Sequence, residues 1–421
     1  MVDFTLSPTE KTIQQAARSF AATHLSGAKA AYSLIPSHAE RFQSTRPIYH
    51  AAVLAGLIKG QIPTPLGGTS GSLLEAALLV EELYAVEPGA SLTILGTGLG
   101  LTPLVLAFRP EVAEFLEPFL KGEGEPLASL VFSEPGGVAN WLEEGAPGLQ
   151  TTAYLDGEEW VLNGEKVWAT NSAGWDFKGA DLGCVVCRCT HPDIPASASP
   201  ADRIMILLVT AADIARGEEG VFEVLGHQQM AGHTASSGPH VKYTNLRIPK
   251  KNLLCSPGTG AQIVTSTFEI SACLVGAMGV GLQRAIFDAA LSFSRTSRGG
   301  TTPIGHRQSV ADLLIDIKMR TETSRYLTWS AAHHLSTSQG KNRELALEAK
   351  IYCSDAAVKS AVDAVNLVGV SAYDLKQPFS ELLNDAMVLP IFDGGNVGIR
   401  RRALQGIFMG EGYEAWATCY E

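Results

Sequence analysis

The sequence predicts an α+β multidomain protein: an N-terminal helical domain, a small central antiparallel β domain and a C-terminal four-helix bundle. Three observations carry this prediction. Apolar residues recur at helical spacing near the start of the chain, turn-bounded runs of Val, Ile and Leu occupy the middle, and helical spacing returns for the remainder. The composition places the changes of character near residues 125 and 250, giving zones 1–125, 126–250 and 251–421.

In the first zone Ile13, Ala16, Ala17 and Phe20 form one amphipathic stripe, and Ala76, Leu79, Val80 and Leu83 form a second. Between them Pro63-Thr-Pro-Leu-Gly-Gly68 is a breaker cluster that predicts a loop. In the second zone Asp156-Gly157 and Asn163-Gly164 flank Trp160-Val-Leu, which reads as a short meander with two turns. Further strands are expected over Asp181–Cys189, Ile204–Thr210 and Val241–Ile248, with a proline-bearing excursion over Thr190–Arg203. The third zone has stripes at Val310, Leu313, Leu314 and Ile317 and at Val358, Ala361, Val362 and Val365. With Ser271–Phe293 and a segment around Arg400–Met409, these make the four helices of a bundle.

Bulk chemistry narrows the function classes. Lys plus Arg total 32 and Asp plus Glu total 43, a net charge of −11, which argues against nucleic acid as a partner. Met1–Glu10 has no apolar core of a signal peptide, and Ala417–Glu421 carries no peroxisomal Ser-Lys-Leu. The apolar Ser271–Phe293 segment is interrupted by Gly276, Gly279, Gly281, Gln283 and Arg284, which reads as a buried core helix, so no membrane is expected as a partner. Seven cysteines without a secreted framework point to a reducing intracellular compartment, the cytoplasm.

Several clusters have structural readings that outweigh functional ones. Cys184, Cys187 and Cys189 lack a second pair for zinc, and Cys184 and Cys187 fall on opposite faces of a strand, so core packing is expected and no metal. His227, His233 and His240 share no helix face, and surface or hydrogen-bonded roles are expected of them. Gly96-Thr-Gly-Leu-Gly100 lacks the strand–turn–helix setting of a dinucleotide loop, so close helix packing is expected there. Phe392-Asp-Gly-Gly-Asn396 stands apart, because Arg400 follows Asp393 by seven residues. On a helix beginning after the glycines, Arg400 would lie near Asp393, favour the anion and lower its pKa. An ionised carboxylate in an apolar pocket is what proton abstraction requires.

Four ordered segments resemble the acyl-CoA dehydrogenase superfamily across essentially the whole chain. They are Phe132-Ser-Glu-Pro-Gly136, Asn163-Gly-Glu-Lys-Val-Trp-Ala-Thr-Asn171, Ile248-Pro-Lys-Lys-Asn-Leu-Leu254, and Phe392-Asp-Gly-Gly with Arg400. Within the superfamily, Asp393 in place of Glu, Ala139-Asn-Trp-Leu142, Gly145–Ala153, Ser271–Met278 and Phe392–Arg402 resemble the nitroalkane oxidases. That resemblance implies FAD as cofactor, Asp393 as base, Arg400 as its charge partner and Ser271 as a hydrogen-bond donor. It further implies that Ser133, Trp168 and Thr170 contact the flavin, while Arg298 and Gln308 reach the FAD of a neighbouring subunit in a homotetramer. The implied reaction is oxidation of a small nitroalkane by molecular oxygen to an aldehyde or ketone, nitrite and hydrogen peroxide. Carboxylate abstraction of the α proton would be followed by addition of the carbanion to flavin N5. The alternative within the same fold is an acyl-CoA dehydrogenase passing electrons to an electron-transfer flavoprotein.

Overall fold

A computed structural model describes residues 5–195, 197–338 and 343–416. The two terminal segments read above therefore lie partly (Met1–Glu10) or wholly (Ala417–Glu421) outside the described residues.

The first zone is helical: α1 (Pro8–Phe20), α2 (Ala28–Tyr32), α3 (His38–Ser44), α4 (Arg46–Leu54), α5 (Leu73–Tyr84), α6 (Pro88–Leu106) and α7 (Glu117–Leu120). Local chemistry sets the starts. Ser7 and Glu10 form a reciprocal capping box on α1, Ser72 caps α5, and the Glu87 carboxylate caps α6 ahead of Pro88. Pro63–Gly68 is the irregular link before α5, as its breakers require.

The sheet follows, as β1 (Ala128–Val131), β2 (Thr152–Asp156), β3 (Glu159–Val167), β4 (Leu182–Cys189), β5 (Ile204–Val209), a short α8 (Ala211–Arg216), β6 (Phe222–His227), β7 (Pro239–Pro249) and β8 (Leu253–Cys255). The order is β6-β7-β3-β2-β4-β5-β8, with β1 also on β4. Two features correct the sequence expectation. The sheet is mixed, because β1 and β2 both pair with β4 in parallel. Asn163-Gly164 is a bulge inside β3: the register with β7 shifts there, while Asn163 and Asn245 exchange hydrogen bonds of 3.1 and 2.8 Å. Asp156-Gly157 is the turn that joins β2 to β3. Strand β4 is buried on both faces. Cys184 packs toward the N-terminal helices with Phe42, Tyr49 and Leu101, whereas Cys187 and Cys189 pack on the other side with Trp160, Leu162 and Tyr243.

The last zone contains α9 (Gly260–Thr296), α10 (Gln308–Thr337), α11 (Glu344–Val368), α12 (Phe379–Val388) and α13 (Arg401–Phe408). The sequence places a fourth bundle helix around Arg400–Met409, but α13 spans only 8 residues, and α12, outside the predicted stripes, packs Phe379 and Ala386 into the bundle core. The bundle also takes in α5, whose Ala77, Val80 and Tyr84 share that core with Val275, Met278 and Leu282 of α9. Arg284 of α9 and Arg325 of α10 pair with buried Glu81 of the same helix. Helices α6 and α9 are each long and apolar enough to cross a membrane, and two-thirds of each apolar window is buried inside the protein.

Candidate active site

The base candidate sits where the bundle meets the sheet. The chain leaves α12, turns through Pro390–Gly395 and re-enters helix at Asn396–Arg400, a single π-helical turn. Asp393 adopts φ 52°, a left-handed conformation that Asp tolerates better than most residues. Gly394 follows at φ 76°, and a Cβ there would stand 2.9 Å from Arg400 Nε, so a side chain would expel the arginine. The turn thus lets Arg400 fold back over the residue seven places before it, as the spacing predicts.

Within this turn the Asp393 carboxylate is enclosed. Ser271 Oγ donates to Oδ1 at 2.7 Å and Arg400 Nη2 to Oδ2 at 3.0 Å. Arg400 Nε also donates to the Asp393 carbonyl at 3.0 Å, and Nη2 to the Phe268 carbonyl at 2.9 Å. The guanidinium is therefore tied to the turn and to α9 at once. Burial pushes the Asp393 carboxyl above the usual aspartate range, and Arg400, Ser271 and Lys350 each pull it partly back. This corrects the sequence expectation of a lowered value. The arginine has the predicted sign of effect, but desolvation is larger.

Phe268 and Phe132 connect this cluster to the second candidate group. Their rings meet edge-on at 5.3 Å, and Phe132 immediately precedes Ser133. Ser133 accepts from the Val167 amide at 2.9 Å, which sets the Ser-Glu-Pro turn beside the end of β3. Glu134 and Lys166, one from each of two family-like segments, form a buried ion pair at 2.9 Å, and Lys166 also donates to the Phe132 carbonyl at 2.8 Å. Trp168 follows at φ 66° and leaves its side chain 54% exposed, against Gly238 of the loop before β7. The Thr170 carbonyl accepts from Ser129 Oγ at 2.7 Å. Gly96 packs α6 against Thr170, where a Cβ would come within 2.8 Å of the Thr170 methyl, and Gly100 packs against the Ser129 backbone. The glycines of α6 thus serve close packing, as expected.

Ser133, Trp168 and Thr170 are accordingly gathered on one lip of the sheet, and Ser271, Asp393 and Arg400 on the facing turn and helix. Arg298 and Gln308 stand apart: both are exposed, and their described hydrogen bonds are local, to the Thr301 carbonyl at 2.9 Å and to Asp312 at 2.7 Å. His240 is paired with Glu165 at 2.8 Å, as expected, and His227 lies against Phe177. His233 departs from expectation, being buried beside Tyr84 with its ring 6.4 Å from that of Phe392. Sequence reasoning missed Lys350, which is fully buried with Nζ 2.7 Å from Asn396 Oδ1. Its only signal is a lysine at a position in line with Leu347, Ile351 and Ser354 on the buried stripe of α11.

The chain is similar to known proteins along its whole length. The chain is 59% identical over its whole length to a nitroalkane oxidase of Podospora anserina, covering 99% of that protein. The chain belongs to the nitroalkane oxidase branch of the acyl-CoA dehydrogenase family. The descriptions "Acyl-CoA dehydrogenase, N-terminal domain" and "Acyl-CoA dehydrogenase, C-terminal domain" match residues 7–123 and 258–406. A nitroalkane oxidase of Fusarium oxysporum is 49% identical over 100% of this chain and 98% of its own. The Podospora anserina nitroalkane oxidase structure superposes with a TM-score of 0.98 at 58% identity, covering both chains fully. A nitroalkane oxidase active-site mutant crystallized with 1-nitrohexane superposes at 0.96 with 48% identity, again over both full chains. Members of this family are flavoproteins, so a flavin is the cofactor implied.

The lip residues suit a flat, partly polar ring system. Trp168 offers an exposed aromatic face, and buried Ser172 and Ser237 hydroxyls beside this lip have no hydrogen-bond partner among the described residues. Ser172 lies two residues after Thr170, and Ser237 immediately precedes Gly238, against which Trp168 packs.

Proposed function

We propose that the chain is an FAD-dependent nitroalkane oxidase, which converts small nitroalkanes and molecular oxygen to aldehydes or ketones, nitrite and hydrogen peroxide. The observation that carries this reading is the buried Asp393 carboxylate, held from both sides by Ser271 and Arg400. A proton next to a nitro group is far more acidic than one next to a thioester, so one carboxylate suffices to remove it.

In this reading Asp393 takes the α proton. Arg400 fixes the carboxylate through the backbone of its own turn, and Ser271 orients the other oxygen. Ser133, Trp168 and Thr170 hold the flavin. When bound, the flavin supplies the acceptor for the substrate's two electrons, which then pass to oxygen. The apolar surround of Phe132, Phe268 and Phe392 keeps water from the carbanion. Mixing the purified protein with nitroethane under anaerobic conditions tests the function. Bleaching of the flavin, with nitrite in the quenched mixture, is expected. Bleaching by an acyl-CoA and none by nitroethane would overturn the reading in favour of a dehydrogenase.

The acid side of the rate profile follows from burial. The base works ionised, so activity falls as pH drops through a pKa raised above the usual aspartate value. Ser271→Ala removes a bond to the carboxylate and should move this limb further upward, with roughly tenfold or greater loss of kcat/KM on the limb. An unchanged kcat/KM–pH profile would remove Ser271 from the reaction.

A homotetramer completes the proposal, with Arg298 and Gln308 reaching the FAD of a neighbour. Its support is the run from Val370 to Leu375, where Val370, Tyr373 and Leu375 are each 89–90% exposed, an apolar concentration unusual on a free surface. Changing Tyr373 and Leu375 together to Asp should reduce the native mass and the FAD retained after gel filtration. An unaltered mass would place the subunit contact elsewhere.

A further inference from the structure

We infer that Lys350 is a positioning residue for the base: a second buried cation that, through Asn396, anchors the Asp393 turn to α11 and holds the carboxylate in its ionised form. The inference rests on the reading of Asp393 as the base and adds a group to which neither the family motifs nor the predicted chemistry assigns a part.

The geometry begins with burial. Lys350 has no exposed surface, although it lies in the second turn of α11, because its side chain is on the buried stripe with Leu347, Ile351 and Ser354. Its hydrogen-bond partner is Asn396 Oδ1 at 2.7 Å. Asn396 is itself buried and fully engaged. Its Nδ2 donates to Ser354 Oγ and Asp355 Oδ1, both at 2.9 Å, and its backbone amide donates to the Pro390 carbonyl at 2.8 Å. Asn396 therefore closes the loop from Pro390 that contains Asp393, and Lys350 is the post to which the closed loop is tied. Arg400 ties the same loop to α9 through the Phe268 carbonyl. Two cations thus brace the turn against two different helices, α11 and α9.

An uncompensated ammonium at this depth would be costly, so its charge must be answered nearby. The charged groups acting on it are Asp393 and Arg400 from the turn and Asp355 from α11 itself. Burial opposes the ammonium most strongly and Arg400 adds to it, while Asp393 and Asp355 favour the charge, and the balance brings its pKa down to about 8. Reciprocally, Lys350 is among the groups that pull the Asp393 carboxyl back toward ionisation. The asparagine contact is neutral, so it leaves the lysine's charge free to act on the aspartate. A carboxylate in place of Asn396 would cancel that charge.

The test uses the FAD-loaded enzyme and reads the acid limb of kcat/KM for nitroethane. Lys350→Gln keeps an amide donor for Asn396 and removes the charge. Its acid limb should move upward by about one pH unit, close to a tenfold loss at a pH on the limb. Lys350→Arg restores a cation and should return the limb toward that of the wild type. A second readout is independent of turnover. Because the folded pKa is depressed, the unfolded chain binds more protons between about pH 8 and the unfolded lysine value, so this group adds stability as pH rises through that window. The wild-type melting temperature should rise relative to that of Lys350→Gln across the same window. A Lys350→Gln enzyme that bleaches with nitroethane and has the wild-type acid limb would overturn the inference while leaving the proposed reaction intact. A wild-type enzyme that nitroethane does not bleach would instead overturn the reaction. If the Gln variant does not fold, Lys350→Met is read against the same limb. If neither folds, Asn396→Asp cancels the charge in place, and an unshifted limb there likewise refutes the inference.

Discussion

Asp393→Asn is expected to give a folded, flavin-retaining protein whose reduction by nitroethane is slower by about three orders of magnitude or more. The substitution is well matched to the site. Asparagine tolerates the left-handed backbone at φ 52°, keeps the volume, and still accepts from Ser271 through its amide oxygen. What it lacks is a basic oxygen. Arg400 loses the carboxylate at 3.0 Å but keeps the Asp393 and Phe268 carbonyls, so the turn should hold. Stopped-flow reduction with nitroethane and then with its preformed nitronate anion checks this. The nitronate needs no proton removed, so it should reduce the variant at a rate near that of the wild type. Equal losses with both substrates would mean that the residue serves something other than deprotonation.

Arg400→Lys should have the second largest effect. Lysine keeps the charge but has one donor centre where the guanidinium spans two, and it cannot hold the Asp393 carbonyl, carboxylate and Phe268 carbonyl together. Two buried carbonyls then compete for one ammonium, and the carboxylate is free to swing. A displacement of about 1 Å costs on the order of a hundredfold in rate. The expected outcome is a loss of that size in kcat/KM for nitroethane, an acid limb moved upward, and a lower melting temperature. A variant with the wild-type rate and pH dependence would show that the planar contact is irrelevant to the base.

The three-zone order and the facing residues of the site were legible because periodicity and motif order are local properties. Trp168 and Thr170 lie two places apart, a backbone hydrogen bond joins Ser133 to Val167 beside them, and Arg400 sits seven places from Asp393. What escaped depends on who packs against whom. The parallel pairings of β1 and β2 on β4 join segments separated by long connections, and nothing in a strand's own residues announces its partner's direction. Asn163-Gly164 carries the composition of a turn, yet continued pairing of β3 with β7 absorbs it as a bulge. The sign of the Asp393 shift was misread because a nearby arginine is visible in sequence while the depth of burial is not. Lys350 was missed for the same reason, since a single lysine in a helix is ordinarily a solvated one.

The ion pairs of Arg284 with Glu81 and Glu82 join residues 203 and 202 positions apart, and Ala77, Val80 and Tyr84 of α5 share their core with α9. The order of synthesis therefore works against the order of assembly. When α5 leaves the ribosome its bundle partner does not yet exist, and Ala77, Val80 and Tyr84 lack Val275, Met278 and Leu282 until the sheet and most of α9 have followed. Contacts this distant along the chain slow folding, because a long loop must close before they return any energy. A nascent chain halted before Gly260 would expose that face, and an N-terminal fragment made alone should aggregate or be held by chaperones rather than persist as a free domain.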